Sequence, residues 1–401
     1  MIELHPTDVA HGGEAVARLD GKVHFVDGAM PGETVIGEVV RSTKSWARVE
    51  LDRVVVASPQ RVEPPCRHFG VCGGCRWQFA DHEAQLEWKR SILAGQLTHL
   101  GGLTDPPVRP TEPVGPSYGY RNRADFEVLD GRAAFHRRRS RDLEPITDCL
   151  VLHPLVAAVV ERLGDLGSAV EVTVRAAIAT GEALAVVRGS VPDGAAAWGC
   201  QVARRAGDDI HPLIGAATIT ETVAGVPLRV TGDAFFQNNT AGAEVLVRLV
   251  AEAVAPRSDE TLLDAYAGGG LFGATVGRNA ARVVAVEAGT LGIGDLRHNL
   301  AAAGIDHVIV AGPVEQPDLL RAERWDVAVV DPPRKGLGDA GVAAVAAGRP
   351  RAIAYVSCDP ASLSRDSRQL AEYGYRVEWV APVDMFPQTF HIEAVAAFVA
   401  G

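Results

Sequence analysis

The chain has 401 residues, 47% of them hydrophobic, and a formal net charge of −11. That length allows two or three domains with cores of their own, and the acidic balance argues against indiscriminate nucleic-acid binding while leaving room for a local basic surface. No apolar run reaches transmembrane length, and Met1-Ile-Glu-Leu-His-Pro lacks the basic start and apolar centre of a secretion signal, so a cytosolic protein without membrane contact is expected.

Residues 1–58 alternate apolar and polar side chains between turns at Asp20-Gly21, Asp27-Gly28 and Pro31-Gly32. Short strands at 23–26, 33–40 and 46–51 predict a small antiparallel barrel of OB-like size. Pro64-Pro65 follows, then Cys66, Cys72 and Cys75, three of the six cysteines within ten residues. In a cytosolic protein such spacing suggests metal rather than disulfide. The Cys-x2-Cys pair suits zinc about as readily as iron–sulfur. Cys149 stands alone, without a neighbouring cysteine to make a second zinc-type pair, and Cys200 reads as a buried hydrophobe.

Residues 80–100 predict an amphipathic helix packing on the catalytic part of the chain. Seven arginines (121, 123, 132, 137, 138, 139 and 141) fall within 21 residues. Without support from elsewhere they read as a solvated face. From 120 to 230 the pattern is mixed, with strands at 124–128 and 183–187. From about 235 it becomes regular α/β, with strands at 262–265, 283–287, 308–310, 327–330, 352–356 and 395–399 and helical segments between most of them. This predicts a doubly wound sheet, and boundaries at 1–58, 59–234 and 235–401.

Three loops at strand ends carry the chemistry. Gly268, Gly270 and Gly273 fit G-x-G-x-x-G between a strand and a helix, and Glu287 ends the next strand, where a carboxylate can accept ribose hydroxyls. A dinucleotide or S-adenosylmethionine would fit equally. Asp264 favours the second, since a carboxylate suits a methionyl ammonium and repels a pyrophosphate. Asp331-Pro-Pro-Arg-Lys-Gly336 follows the strand at 327–330, and Val356-Ser-Cys-Asp-Pro360 follows the strand at 352–356. Cys358 has no histidine beside it, yet faces a loop where ligands of such sheets bind. Arg334 is expected to favour its thiolate.

In this order the motifs resemble those of the S-adenosylmethionine-dependent RNA uracil-5-methyltransferases: the barrel, Cys-x5-Cys-Gly-Gly-Cys at 66–75, Phe-Phe-Gln-Asn-Asn at 235–239, the glycine loop, the two motifs just quoted, and Met-Phe-Pro-Gln-Thr-Phe-His-Ile-Glu at 385–393. The resemblance implies a Rossmann-like class I methyltransferase domain, a TRAM barrel and a central α+β iron–sulfur domain. It implies that Gln237, Tyr266, Gly268, Gly270, Glu287 and Asp331 bind S-adenosylmethionine, that Cys358 is the nucleophile, and that Glu393 is the base. It also implies that Cys66, Cys72, Cys75 and Cys149 hold a 4Fe–4S cluster of structural role. Leu271 and Pro313 depart from the usual pattern at two cofactor contacts.

The chemistry agrees with these roles. A thiolate added to carbon 6 of uracil makes carbon 5 nucleophilic, and a base must then remove the carbon 5 proton. His391 reads as a structural histidine. A flipped base in single-stranded or loop RNA would give the arginine-rich segment a phosphate partner. Barrel plus cluster is more similar to the ribosomal-RNA members, so 23S rRNA acted on by a monomer is expected, with tRNA as the alternative. A flavin or nicotinamide iron–sulfur oxidoreductase would leave Cys358 and Asp331-Pro-Pro-Arg334 unexplained. A non-catalytic RNA-binding protein would leave the same residues idle.

Overall fold

Alternating short strands and turns shape the first third of the chain, and helix–strand alternation the last. The computed structural model describes residues 1–316 and 318–401. Six strands form the N-terminal sheet: β1 (Ile2–Leu4), β2 (Asp8–Val9), β3 (Ala15–Leu19), β4 (Lys22–Asp27), β5 (Thr34–Ser42) and β6 (Trp46–Val56). Their order is β1-β5-β6-β4-β3-β2, with β4 and β6 parallel and the other pairs antiparallel. Alternation turns Leu4, Ala15, Ala17, Val26, Val35 and Val49 into its core.

Helix α1 (His82–His99) starts at Asp81, whose side chain accepts the Ala84 N–H at 2.8 Å. It lies within two residues of the expected span and packs on the catalytic part. Leu93 and Leu97 join the core that contains Tyr355 and Phe398, while Ala84, Trp88 and Ile92 pack with Trp77 and Ile392.

A central sheet follows, from β7 (Arg123–Leu129), β8 (Arg132–His136), β9 (Leu143–Pro145), β10 (Ala169–Ala176), β11 (Ala183–Gly189), β12 (Gln201–Ala206) and β13 (Asp209–Ile214). Its order is β13-β12-β11-β10-β7-β8-β9, and α2 (Pro154–Val160) packs on one face. The hairpin β14 (Thr218–Val223) and β15 (Val226–Thr231) shares its core with the catalytic sheet and is pinned to it, Arg229 pairing with Asp295 at 2.8 Å.

The third sheet holds β16 (Thr261–Ala265), β17 (Arg282–Glu287), β18 (His307–Ala311), β19 (Val327–Val330), β20 (Ala352–Ser357), β21 (Tyr375–Val383) and β22 (Glu393–Ala400). The order is β18-β17-β16-β19-β20-β22-β21. All pairs are parallel up to β20, and β22 runs antiparallel to both neighbours. Helices α3 (Thr240–Val254), α4 (Leu271–Thr275), α5 (Thr290–Ala302), α6 (Gly338–Ala346) and α7 (Pro360–Glu372) accompany these strands. Strand β21 was not among the expected strands; it forms an edge and carries Pro382, which only an edge tolerates well. The strand order reverses between β16 and β19, opening a crevice at their carboxyl ends. Among the described residues no helix is long and apolar enough to cross a membrane.

Candidate functional site

One cavity of about 930 Å³ lies at that carboxyl edge. Gln237, Tyr266, Gly268, Glu287, Asp331, Cys358 and Glu393 all line it, so the sheet brings together groups spread over more than 150 residues of sequence. Gly270 stands just behind the wall. It caps α4 with φ +87°, and a Cβ there would meet Leu296 Cδ1 at 2.8 Å. Leu271 lines the cavity as an apolar wall, whereas Pro313 does not reach it.

Asp264 requires a correction. It was expected to face an ammonium, but it is buried and outside the cavity wall, accepting the Gly273 N–H at 2.7 Å. Its role is to hold the glycine loop against the strand, and Gly273 has no side chain because a Cβ would sit 2.9 Å from that carboxylate. Glu287 does reach the cavity and braces both adjoining loops. It accepts the Gly268 N–H at 2.7 Å and those of Ala288 and Gly289 at 2.9 and 2.6 Å.

Cys358 directly follows β20, and Asp359 caps α7 by accepting the Ser362 N–H at 2.7 Å. Glu393 opens β22 opposite Val383 and is 5% exposed. Burial, then Asp331 nearby, pushes its carboxyl up to about 8, with Arg334 pulling the other way. Burial and Asp264 raise Asp331 to about 7. The Cys358 thiol is pushed up to about 12 by burial, Glu393 and Asp331. Arg334 lowers it, as expected, but is outweighed, so burial and the two carboxyls keep the thiol protonated. The wall carries Glu287, Asp331 and Glu393 with Arg334, and Arg205, Asp208 and Asp233 at the rim.

Sequence reasoning missed several neighbours. Phe386 also lines the cavity. His11, from the N-terminal sheet, comes within 3.7 Å of Asp359 beside the thiol, a contact between residues 348 apart with no local signal. His391 is held neutral, its imidazole lowered to about 4 by burial and then by Arg334, and it stacks on Phe390 at 4.6 Å.

A second cavity, of about 350 Å³, is lined by Cys66, Cys72, Cys75 and Cys149, with Arg121 and Gln78. Burial pushes Cys75 up to about 12, and its three cysteine neighbours add to the rise. The 66–75 segment is laced to the end of β8: Gly73 donates to His136 O at 3.0 Å and Arg138 donates to Val71 O at 2.9 Å. Among the described residues, no three His, Cys, Asp or Glu side chains stand close enough to clasp a single metal ion. Cys200 lies apart, against the core of the central sheet.

Of the seven clustered arginines, Arg123, Arg137, Arg138 and Arg139 are already paired with carboxylates, the last two with Asp27 of the N-terminal sheet. They weld the central sheet to the N-terminal one. Arg132 and Arg141 remain exposed.

This sheet order, glycine loop and acidic second-strand end define a class I methyltransferase fold. A family model described as tRNA (uracil-5-)-methyltransferase matches residues 318–399. An uncharacterized RNA methyltransferase of Gloeobacter violaceus is 35% identical, over 97% of this chain and 94% of that protein. Another, from Streptomyces coelicolor, is 36% identical over 98% of this chain and 91% of its own length. Among solved structures, the Pyrococcus abyssi tRNA (uracil-54, C5)-methyltransferase in complex with S-adenosyl-L-homocysteine superposes with a TM-score of 0.79 at 25% identity, covering 99% of this chain and 100% of that one. The chain belongs to the RNA uracil-5-methyltransferase family.

Proposed function

We propose that the protein transfers the methyl group of S-adenosylmethionine to carbon 5 of a uridine in RNA, through a covalent adduct on Cys358. The observation that carries this reading is the convergence of Cys358 and the buried Glu393 on one carboxylate-rich cavity beside the glycine loop. Gln237, Tyr266, Gly268, Glu287 and Asp331 would line the cofactor's seat, with Gly270 shaping the loop behind.

Cys358 adds to carbon 6 as its thiol proton passes to solvent water, and the displaced π electrons spread over carbon 5 and the carbon 4 oxygen, which makes carbon 5 an enolate-type nucleophile. Carbon 5 takes the methyl group, and the sulfonium leaves as a neutral thioether. Glu393, as carboxylate, then accepts the carbon 5 proton. The electrons of that C–H bond re-form the ring double bond, and the C6–S bond breaks with its pair on sulfur. A target base must be flipped into the cavity to meet a thiol at a sheet edge.

The four cysteines would hold a 4Fe–4S cluster, and what supports this is that Cys66, Cys72, Cys75 and Cys149 all line one cavity. When bound, the cluster would supply a rigid cross-link between residues 66–75 and Cys149. The N-terminal sheet supports a TRAM-like role in RNA binding. For the substrate, 23S rRNA remains our reading on the combination of barrel and cysteines, while the tRNA description of the solved relative favours the alternative. Incubation of 23S rRNA and tRNA transcripts with S-adenosylmethionine, followed by mapping of 5-methyluridine, decides. Our reading expects the product in rRNA only; product confined to tRNA removes the rRNA assignment, and none in either removes the activity.

A further inference from the structure

We propose that Gln388 is a positioning residue for Glu393, held by Gln85 of α1 and by the main chain that follows Cys75. This rests on the reading of Glu393 as the base. The loop 384–392 leads directly into Glu393, and Gln388 sits at its apex with φ +69° and 4% exposure. A non-glycine residue adopts that backbone only when its surroundings over-determine it.

Here they do. Gln85 and Gln388 bond reciprocally: the Gln388 N–H donates to Gln85 Oε1 at 2.8 Å, and Gln85 Nε2 donates to Gln388 Oε1 at 3.1 Å. The Gln388 carbonyl accepts the N–H groups of Arg76 and Trp77 at 2.9 and 3.1 Å. Those residues directly follow Cys75, which lines the cysteine cavity. Gln85 Nε2 is itself shared with the carbonyls of Trp77 and Ala80, at 3.2 and 3.0 Å, so the amide is fixed from both sides. Gln388 does not line the reaction cavity, so it acts through the path of the backbone. One hydrogen-bonded seam therefore joins helix α1, the cysteine segment and the loop that aims the carboxylate.

The adduct chemistry gives this seam a distinctive signature. A misaimed Glu393 leaves thiol addition and methyl transfer intact but delays proton removal, so the methylated RNA stays bonded to Cys358. In Gln85→Ala, turnover on RNA is expected to fall ~10-fold or more, since misplacement of a catalytic group by about 1 Å costs on the order of a hundredfold. The dissociation constant for S-adenosylmethionine should stay within about twofold. An SDS-resistant complex with ordinary uridine RNA should accumulate, and hydrogen exchange at 385–392 should quicken.

Wild-type turnover in Gln85→Ala overturns the proposal. So does lost turnover without the trapped complex in a protein that still binds S-adenosylmethionine. If Gln85→Ala does not fold, Gln388→Gly decides by the same readouts, since glycine accepts the positive φ while losing the side-chain bond to Gln85 and loosening the loop apex. Failure of the underlying reading looks different: the wild-type enzyme itself would then make no 5-methyluridine.

Discussion

Burial and neighbouring carboxylates lift the Cys358 thiol to about 12 and the Glu393 carboxyl to about 8, so both carry protons at neutral pH. Glu393 works only once deprotonated, and it shares its surroundings with Asp331, raised to about 7. A sulfonium placed beside them stabilises their charged forms and moves both downward. We therefore expect kcat/KM, which reports the free enzyme, to rise with pH up to an apparent value near 8, and kcat to level off at lower pH. Steady-state rates between pH 6 and 9 check this; a flat kcat/KM over that range contradicts it. Cys358 was legible at this scale because a thiol after a buried strand and before Asp-Pro is unusual. Asp264 was misread, because sequence gives a carboxylate near the loop but not the direction in which the Gly273 N–H turns it.

Helix α1 is the element on which the catalytic loop leans. Lys89, with no exposed surface, donates to Asp384 Oδ1 at 2.5 Å and to Phe386 O at 3.0 Å, and His82 approaches Asp384 at 2.6 Å. Burial opposes both charges. It lowers the Lys89 ammonium, with Asp384 drawing it back, while Lys89 and His82 hold the Asp384 carboxyl below its usual range against the burial that would raise it. Removing one partner strands the other in a dry site, a loss of about 3–5 kcal/mol. Lys89→Ala should therefore destabilise the protein by roughly that amount in urea unfolding; a change below about 1 kcal/mol would show that His82 and solvent suffice. The helix itself was legible as an amphipathic stretch at 80–100, and the structure adds its Asp81 cap. Its partners were not, since Lys89 and Asp384 lie 295 residues apart and look like ordinary surface charges in sequence.

Over the whole molecule, the doubly wound sheet could be read because every parallel strand is a short apolar run ending in a marked loop. The antiparallel strand β21 escaped because Tyr375-Arg-Val-Glu-Trp has the mixed character of an edge. The arginine-rich segment seemed free to meet phosphate, yet four of its members pair internally, a distinction that depends on where Asp27 and Glu14 stand in space. The N-terminal sheet reaches the loop after Cys358 through His11, 3.7 Å from Asp359, and its Gly13 carbonyl accepts from Trp77 Nε1 at 3.0 Å, contacts that no local pattern announces. The measurement closest to the central claim uses RNA carrying 5-fluorouridine, whose carbon 5 has no proton to lose. With S-adenosylmethionine, the wild-type protein should form a stable methylated adduct that peptide mass spectrometry places on Cys358, and Cys358→Ala should form none. A Cys358→Ala protein that still methylates uridine RNA at the wild-type rate, or an adduct on any other residue, would contradict the account.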